Sequence, residues 1–372
     1  MDTRSRQVRE VRATHAQLRA LAARRPRQFP VLFDSAAPGA LSRYSILAAW
    51  PRASLLLRGD GRLEQRGVRL GAGTFLAALD EWWRAEHEPA DTSGLPFRGG
   101  WVVFLGYELA ASIEMGLNLP PLAPDAVCAM AIRVGGAVIF DHAQQRCHLV
   151  AEADAAADVP GFAAALSDLG ETGAVLPVIP FAPGAISEQD PEEFRRAVLQ
   201  AQAHIGQGDI YQANLSRVWR VRLEAGADAG VLYERLRQAN AAPFAALAHI
   251  AEVTLLSSSP ERLVRVAGNR VETRPIAGTR GRLGTPDADQ PERLELLANP
   301  KERAEHVMLI DLERNDLGRI CEAGSVEVNE FMVTESYPNL HHIVSNVRGR
   351  LRAGITPGDT LRAVFPGGTI TG

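Results

Sequence analysis

The segment Lys301–Arg319 reads as one helix with a largely apolar middle, yet Glu302 and Glu305 stand one turn apart on one side of it. Like charges at that spacing repel by roughly 0.2–0.5 kcal/mol. A carboxylate pair on a helix with this much apolar surface suggests a cation, or a ligand bridged by one. Other segments carry chemistry-bearing side chains. Ser257-Ser-Ser-Pro-Glu261-Arg262 places an acid where an apolar strand exits into a proline turn. Strand ends are where sites are commonly built. A half-buried carboxyl there has a raised pKa and suits a general acid; the alternative is a solvated acid paired to Arg262. In Arg274-Pro-Ile-Ala-Gly278-Thr279-Arg280-Gly281-Arg282, Gly278 and Gly281 permit close backbone approach. Thr279 adds a hydroxyl, and Arg280 and Arg282 add forks for carboxylates; an ordinary Gly/Arg surface loop is the plain alternative. Gly208–Ser216 carries Gln212 and Asn214, either functional amides or satisfied core amides. His341 and His342 are adjacent on a strand, so only one can face a given site. The terminal Gly367-Gly368-Thr369-Ile-Thr371-Gly372 offers free N–H groups and hydroxyls, a nest suited to an oxyanion or carboxylate. Glycine nest, arginines, acids and a possible divalent cation together fit a small dianionic carboxylate substrate.

These side chains need elements to hold them. Met1–Arg27 looks like an arginine-rich amphipathic helix. Short strands are expected at Val31–Ser35, Arg43–Ala49, Ser54–Arg58, Gly99–Leu109, Val127–Phe140 and Arg146–Glu152, with a helix at Thr74–His87. Residues 151–183 are rich in Ala, Gly, Asp and Pro and mark the boundary between an N-terminal region, 1–183, and a second region, 184–372. The second region opens on Asp190-Pro191-Glu192-Glu193, a helix N-cap followed by proline. Tyr211–Leu223 alternates like a strand. Gly230–Asn240 is a helix, Phe244–Ile250 and Val253–Ser258 are apolar strands, and Leu263–Val266 with Arg270–Pro275 forms a hairpin across Gly268-Asn269. After the acidic helix come strands Ser325–Val333 and His341–Arg350 and a last helix, Pro357–Val364. Strands in runs with hairpin joins argue for α+β with antiparallel sheets, not a doubly wound parallel sheet.

Bulk numbers exclude several classes. The 372-residue chain is 46% hydrophobic and 23% charged, ordinary for a globular protein. A net charge of −4 gives no support for a nucleic-acid partner. No apolar run reaches the roughly 18–20 residues of a membrane span, and the N-terminus lacks the apolar core of a secretory signal, so a cytoplasmic location is expected. Cys128, Cys147 and Cys321 form no metal-ligand spacing. Lys301 is the one lysine among 40 basic residues, so a mechanism needing a lysine has a single candidate.

In this order, Gly208–Ser216, Ser259–Arg262, Arg274–Arg280, Lys301–Arg319, His342–Ser345 and Phe365–Gly372 resemble the signatures of the chorismate-utilising enzymes. That family contains anthranilate synthase component I, aminodeoxychorismate synthase component I, and isochorismate and salicylate synthases. Leu32–Pro51 and Phe97–Glu114 resemble its N-terminal region, so the likeness spans nearly the whole chain. It implies a sandwich of two antiparallel β-sheets with helices outside and the site between them. It implies Mg²⁺ as cofactor, chorismate as substrate, and ammonia delivered by a separate glutaminase subunit. By the same resemblance Glu261 matches the general acid that assists loss of the ring 4-hydroxyl. Glu305 matches a Mg²⁺ ligand, with Glu302 beside it. His342 matches the histidine beside the ring, and Gly278 and Thr279, with Gly368 and Thr369 of the terminal nest, match the substrate pocket. Water-using members carry a lysine base at the position of Gln212, and a glutamine cannot take a proton from water. The chain therefore resembles the ammonia-using members.

Two such activities remain open. Many aminodeoxychorismate synthases carry a nucleophilic lysine where this chain has Ala277, which matches anthranilate synthases instead. Leu32-Phe-Asp34-Ser35 and Pro243-Phe244-Ala245 depart from the tryptophan-feedback pocket of anthranilate synthases. Arg43–Pro51 and Gly99–Leu109 look more like lysine-less aminodeoxychorismate synthases. The expectation is thus conversion of chorismate and ammonia to 4-amino-4-deoxychorismate, a precursor of para-aminobenzoate and folate. Anthranilate synthesis is the alternative. Family members continue past the position of Gly372 with a helix bearing a second Mg²⁺ glutamate, so a C-terminally truncated, catalytically incomplete chorismate-binding chain is the reading from another class.

Overall fold

The computed structural model describes residues 7–39, 41–71, 73–87, 94–169, 186–224 and 226–371. In chain order the elements are β1 (Gln7–Val11), α1 (His15–Arg24), β2 (Val31–Asp34), β3 (Tyr44–Arg58), β4 (Leu63–Arg66), α2 (Phe75–Glu86), β5 (Gly100–Leu105), α3 (Ala110–Ile113), β6 (Val127–Asp141), β7 (Arg146–Ala151) and α4 (Val159–Ser167). There follow β8 (Ile186–Glu188), α5 (Pro191–Gln207), β9 (Trp219–Val221), α6 (Ala229–Ala239), β10 (Phe244–Ile250), β11 (Val253–Ser259), β12 (Arg265–Ala267), β13 (Arg270–Thr273) and β14 (Ile276–Gly281). The chain ends with α7 (Pro286–Ala298), α8 (Pro300–Gly318), β15 (Glu327–Ser336), β16 (Leu340–Arg350), α9 (Pro357–Val364) and the short α10 (Gly368–Thr371).

Every strand pair is antiparallel, and the class is α+β. Nine strands form the large sheet in the order β1-β7-β6-β3-β2-β10-β11, with β4 on β3 and β5 on β6. The last two of that path come from the second region of the chain, so one sheet draws on both. The small sheet has five strands. β13 and β14 lie end to end along one edge of β16, at Val347–Arg350 and Leu340–Val344, while β15 runs along the other edge. Buried Leu18, Leu21, Phe29, Leu47 and Leu247 bind α1 to the large sheet, and Phe75, Leu79 and Trp82 of α2 pack over Leu55. Val271, Val347, Ile310, Leu317 and Val364 join the small sheet to α8 and α9.

Three local outcomes differ from the sequence reading. The N-terminal helix is shorter than Met1–Arg27: Gln7–Val11 pairs with β7, and the helix begins only at the Thr14 capping box. Val8, Arg9 and Glu10 are all exposed, as suits an edge strand, and the Thr14–Gln17 reciprocal cap sets the helix start. Arg43–Ala49 and Ser54–Arg58 are one strand, because the register shift between Pro51 and Ala53 absorbs a residue that cannot donate to the ladder. Tyr211–Leu223 is not a strand. Only Trp219–Val221 pairs, with β8 in a two-stranded ribbon, and Gln212 sits in an irregular stretch. Tyr211 is 89% exposed, so alternation there has no buried face to act on. The boundary placed at 183–184 lies outside the described residues.

Candidate functional site

The last residues of β11 lead into Ser259-Pro260-Glu261, where the large sheet hands the chain to the small one. Ser259 Oγ accepts the Glu261 N–H at 3.3 Å and fixes the turn. The Glu261 carboxylate is thereby turned toward the small sheet, and the Ile276 N–H at the start of β14 donates to its Oε1 at 3.2 Å. Burial pushes its pKa above the usual carboxylate range; the Ile276 N–H and the Thr369 hydroxyl pull the other way without cancelling it. Glu261 thus stands at the junction of the two sheets, half-buried and not paired to Arg262, which lies 3.6 Å from Glu272 instead.

Further along β14 the ladder slips between Ala277 and Thr279. Gly278 occupies the slip with φ +70°, and a Cβ there would stand 3.0 Å from Leu296 Cδ1 and 3.1 Å from Glu302 Oε2. Glycine is required both for the dihedral and for the approach of α8. Beyond the bulge, Thr279 pairs with His342 of β16. His342 Nδ1 is 3.0 Å from Thr279 Oγ1 and 3.4 Å from the Gly278 carbonyl, which leaves Nε2 for a ligand. Burial lowers the His342 pKa, so the ring is neutral at physiological pH. The Tyr337 ring lies 5.6 Å from it, and its hydroxyl donates to Glu335 at 2.6 Å. Tyr337 also feels the charge of Glu261, so both walls meet at that ring. His341 points to the opposite face, 2.8 Å from Ser336 Oγ and 3.5 Å from Asp289.

Helix α8 lies across β14 and β16, anchored by His306 Nε2 at 2.7 Å from Ser345 Oγ. Asn299 caps its first turn through the Lys301 and Glu302 N–H groups. Glu302 leans over Gly278 and lies 3.8 Å from Arg280. Glu305, one turn on and half-buried, makes no ion pair among the described residues. Hard carboxylate oxygens with spare lone pairs fit what Mg²⁺ takes from a protein, one or two acids with the remaining positions left to substrate or water. Arg282 is committed elsewhere, donating to Asp289 at 2.8 Å and to the Tyr337 carbonyl. Arg280 donates to the Thr279 carbonyl at 3.1 Å and keeps only loose ion pairs, 3.7–3.8 Å from Glu295 and Glu302, so it remains the fork nearest the bulge.

The terminal turn closes the site. Gly368 is buried against α8, where a Cβ would meet Leu312 Cβ at 3.3 Å. Asn214 donates to the Thr369 carbonyl at 3.0 Å, tying the irregular 211–218 stretch to that turn. Gln212 lies two residues from this anchor, half-buried, and its side chain makes no hydrogen bond to the other site residues among the described residues. Gly372 is outside the described residues. What holds the turn is a clamp from the first region: Asp80 of α2, 3% exposed, accepts the Gly358 N–H at 2.7 Å and the Arg362 guanidinium at 3.2 Å, both on α9.

One carboxyl escaped the sequence reading. Glu313 of α8 is 6% exposed, within 3.8 Å of where a Gly368 Cβ would stand, and burial pushes its pKa to about 7, aided by the charges of Asp316 and Glu261. The signal was in the helix period: 302, 306, 309 and 313 share one face, and an acid falls on its buried end. Helix α7 was missed as a separate element, although Thr285 and Pro286 carry a helix-start signature.

The model of the chorismate binding enzyme family matches residues 44–372. An anthranilate synthase component I-like protein of Synechocystis is 41% identical over 339 residues, 89% of this chain and 66% of that protein. Aminodeoxychorismate synthase component 1 of Bacillus subtilis is 36% identical over 363 residues, 93% of this chain and 74% of that protein. The crystal structure of anthranilate synthase component I from Streptococcus pneumoniae superposes with a TM-score of 0.75 at 28% identity, covering 90% of this chain and 75% of that one. The chain thus spans about two thirds to three quarters of the length of these relatives. A family match across most of the chain, with relatives 36–41% identical over about nine tenths of it, establishes that this chain belongs to the chorismate binding enzyme family.

Proposed function

We propose that the protein is the chorismate-converting component of an aminodeoxychorismate synthase, acting in the cytoplasm with ammonia from a glutaminase subunit. The observation that carries the chemistry is the Glu261 carboxyl, half-buried and raised in pKa at the seam between the sheets. It keeps a proton where a solvated carboxyl has lost one. Amination at C4 needs such a proton: ammonia forms the new C–N bond, the C–O bond breaks, and Glu261 protonates the departing hydroxyl so that it leaves as water. Thr279 and neutral His342 position the ring, and the Gly278 bulge brings backbone close to it. Gln212 carries an amide that cannot deprotonate water, which fits ammonia as nucleophile. Glu305, with Glu302 beside it, is the residue set that would hold Mg²⁺; the cation supplies Lewis acidity toward a substrate carboxylate. Three buried thiols suit a reducing compartment.

A second reading has its own support. Ala277 is 6% exposed and leaves no amine in the pocket, as in anthranilate synthases, and a 41% identical relative bears an anthranilate synthase-like name. Incubating the protein with chorismate, Mg²⁺ and ammonium and identifying the product separates the two. We expect 4-amino-4-deoxychorismate; anthranilate as sole product overturns the assignment, and no turnover at all favours a binding chain without catalysis.

A further inference from the structure

A second polar cluster lies away from this cleft and takes no part in the chemistry above. His15 comes from the first turn of α1, Asp34 from the end of β2, Ser45 from β3 and His142 from the turn after β6. His15 Nε2 is 2.6 Å from Asp34 Oδ1 and 3.2 Å from Ser45 Oγ. Ser45 Oγ is also 3.0 Å from Asp34 Oδ1 and 2.8 Å from His142 Nε2. The two imidazole nitrogens and the carboxylate oxygen all lie within 4.8 Å of one another. Ser45 Oγ thus lies within 3.2 Å of each of the other three donor atoms. Ligands about 2.0–2.1 Å from a tetrahedral Zn²⁺ are separated by roughly 3.3 Å, so small side-chain shifts would open the centre for an ion.

The surroundings are those of a metal site. Asp34 Oδ2, the oxygen turned away from the cluster, accepts from Tyr233 Oη at 2.9 Å and Arg237 Nε at 3.1 Å, both on α6. Such outer contacts orient a ligating carboxylate. The rings are packed: His15 stacks on Phe140 at 5.5 Å, and His142 meets His15 and Phe140 edge-on at 4.7 and 5.0 Å. Arg237 opposes an added cation and holds the affinity below that of a purely structural zinc centre.

We propose that His15, Asp34 and His142 bind one divalent transition-metal ion of the Zn²⁺ class, with Ser45 Oγ or water in the fourth position. Two imidazoles select such an ion over Mg²⁺, so this site is distinct from the one proposed at Glu305. Binding takes the His15 Nε2 lone pair, so the proton shared with Asp34 Oδ1 leaves that nitrogen, by a shift to Nδ1 or by release to solvent. The ion would then join α1, β2 and the turn after β6, with α6 behind them.

The test is a titration of the whole chelator-stripped protein with Co²⁺ and then Zn²⁺ in excess Mg²⁺. We expect one equivalent of Co²⁺ with tetrahedral visible absorption, displaced by Zn²⁺ and indifferent to Mg²⁺. The signal is lost in His15→Gln and His142→Gln and kept in His87→Gln, whose ring is exposed at the end of α2. Absence of the signal in the wild type, or its survival in both cluster variants, overturns the proposal. Because a buried substitution can unfold the protein, zinc-edge anomalous diffraction from wild-type crystals gives an independent reading. A peak between His15 and His142 supports the site, and a peak only elsewhere rejects it.

Discussion

At the scale of single residues, two buried acids divide the work between reaction and stability. Glu261 is a general acid only while protonated, so activity falls as pH rises through its elevated pKa. Glu261→Gln keeps the shape and loses the proton; turnover with chorismate and ammonium is expected to drop about 10²–10⁴-fold and to lose that alkaline limb. Wild-type-like rates in the variant would remove Glu261 from the chemistry. Glu313 has a different signature. The unfolded chain releases its proton near the ordinary glutamate value of 4.5, and the folded chain holds it to about 7. The native state binds more protons across that window, so stability falls as pH rises from about 4.5 to 7 and stays lower above it. Glu313→Gln is therefore expected to stabilise the protein at pH 8 by on the order of 2–3 kcal/mol and to change little at pH 4.5, as read by urea melts. Equal effects at both pH values would contradict a buried neutral carboxyl. Glu313 was the harder residue to read in advance. Its type looked like a solvated helix acid, and only the packing of Gly368 and the terminal turn over α8 buries it.

At the scale of elements, the site depends on two devices that local sequence marks unevenly. The close backbone approach at Gly278 was legible from the glycine, but the strand and the bulge were not, because Arg274–Arg282 read as a loop segment and β14 shows only once it pairs with β16. Nor was the clamp between α2 and α9 legible. Asp80 looks like a surface acid on an amphipathic helix, yet it is buried 278 positions from the Gly358 N–H it accepts. Only tertiary packing brings the two together. Asp80→Ala leaves the buried Gly358 N–H unpaired and Arg362 with Asp359 alone, a loss expected to cost about 1–3 kcal/mol. Hydrogen exchange at Thr360–Val364 should speed up at the same time, since the last turn of α9 leads directly into the Gly367–Gly368 turn. Unchanged exchange there would mean that α9 is held by its apolar face alone. The irregular 211–218 stretch teaches the opposite lesson: alternation suggested a strand, but no buried face or long edge receives it, and a single amide from Asn214 fixes its place.

At the scale of the molecule, the hairpin pattern read correctly as antiparallel α+β, since turn chemistry and strand period are local. The pairing of β10 with β2 was beyond such reading, because it joins residues more than 200 positions apart. That pairing carries β11, and with it Glu261, to the edge of the small sheet, where β14, β16 and α8 supply the rest. No helix among the described residues is long and apolar enough to cross a membrane. The seam between the sheets is proposed to grip a ring dianion through Thr279, His342 and a cation at Glu305. Equilibrium binding of chorismate by the wild type and by Glu305→Ala, each with and without Mg²⁺, reads this out directly. The account predicts that Mg²⁺ tightens binding to the wild type by about tenfold or more, at least about 1.4 kcal/mol, and that the gain vanishes in Glu305→Ala while the fold persists. Binding indifferent to Mg²⁺, or a gain that survives the substitution, would contradict it.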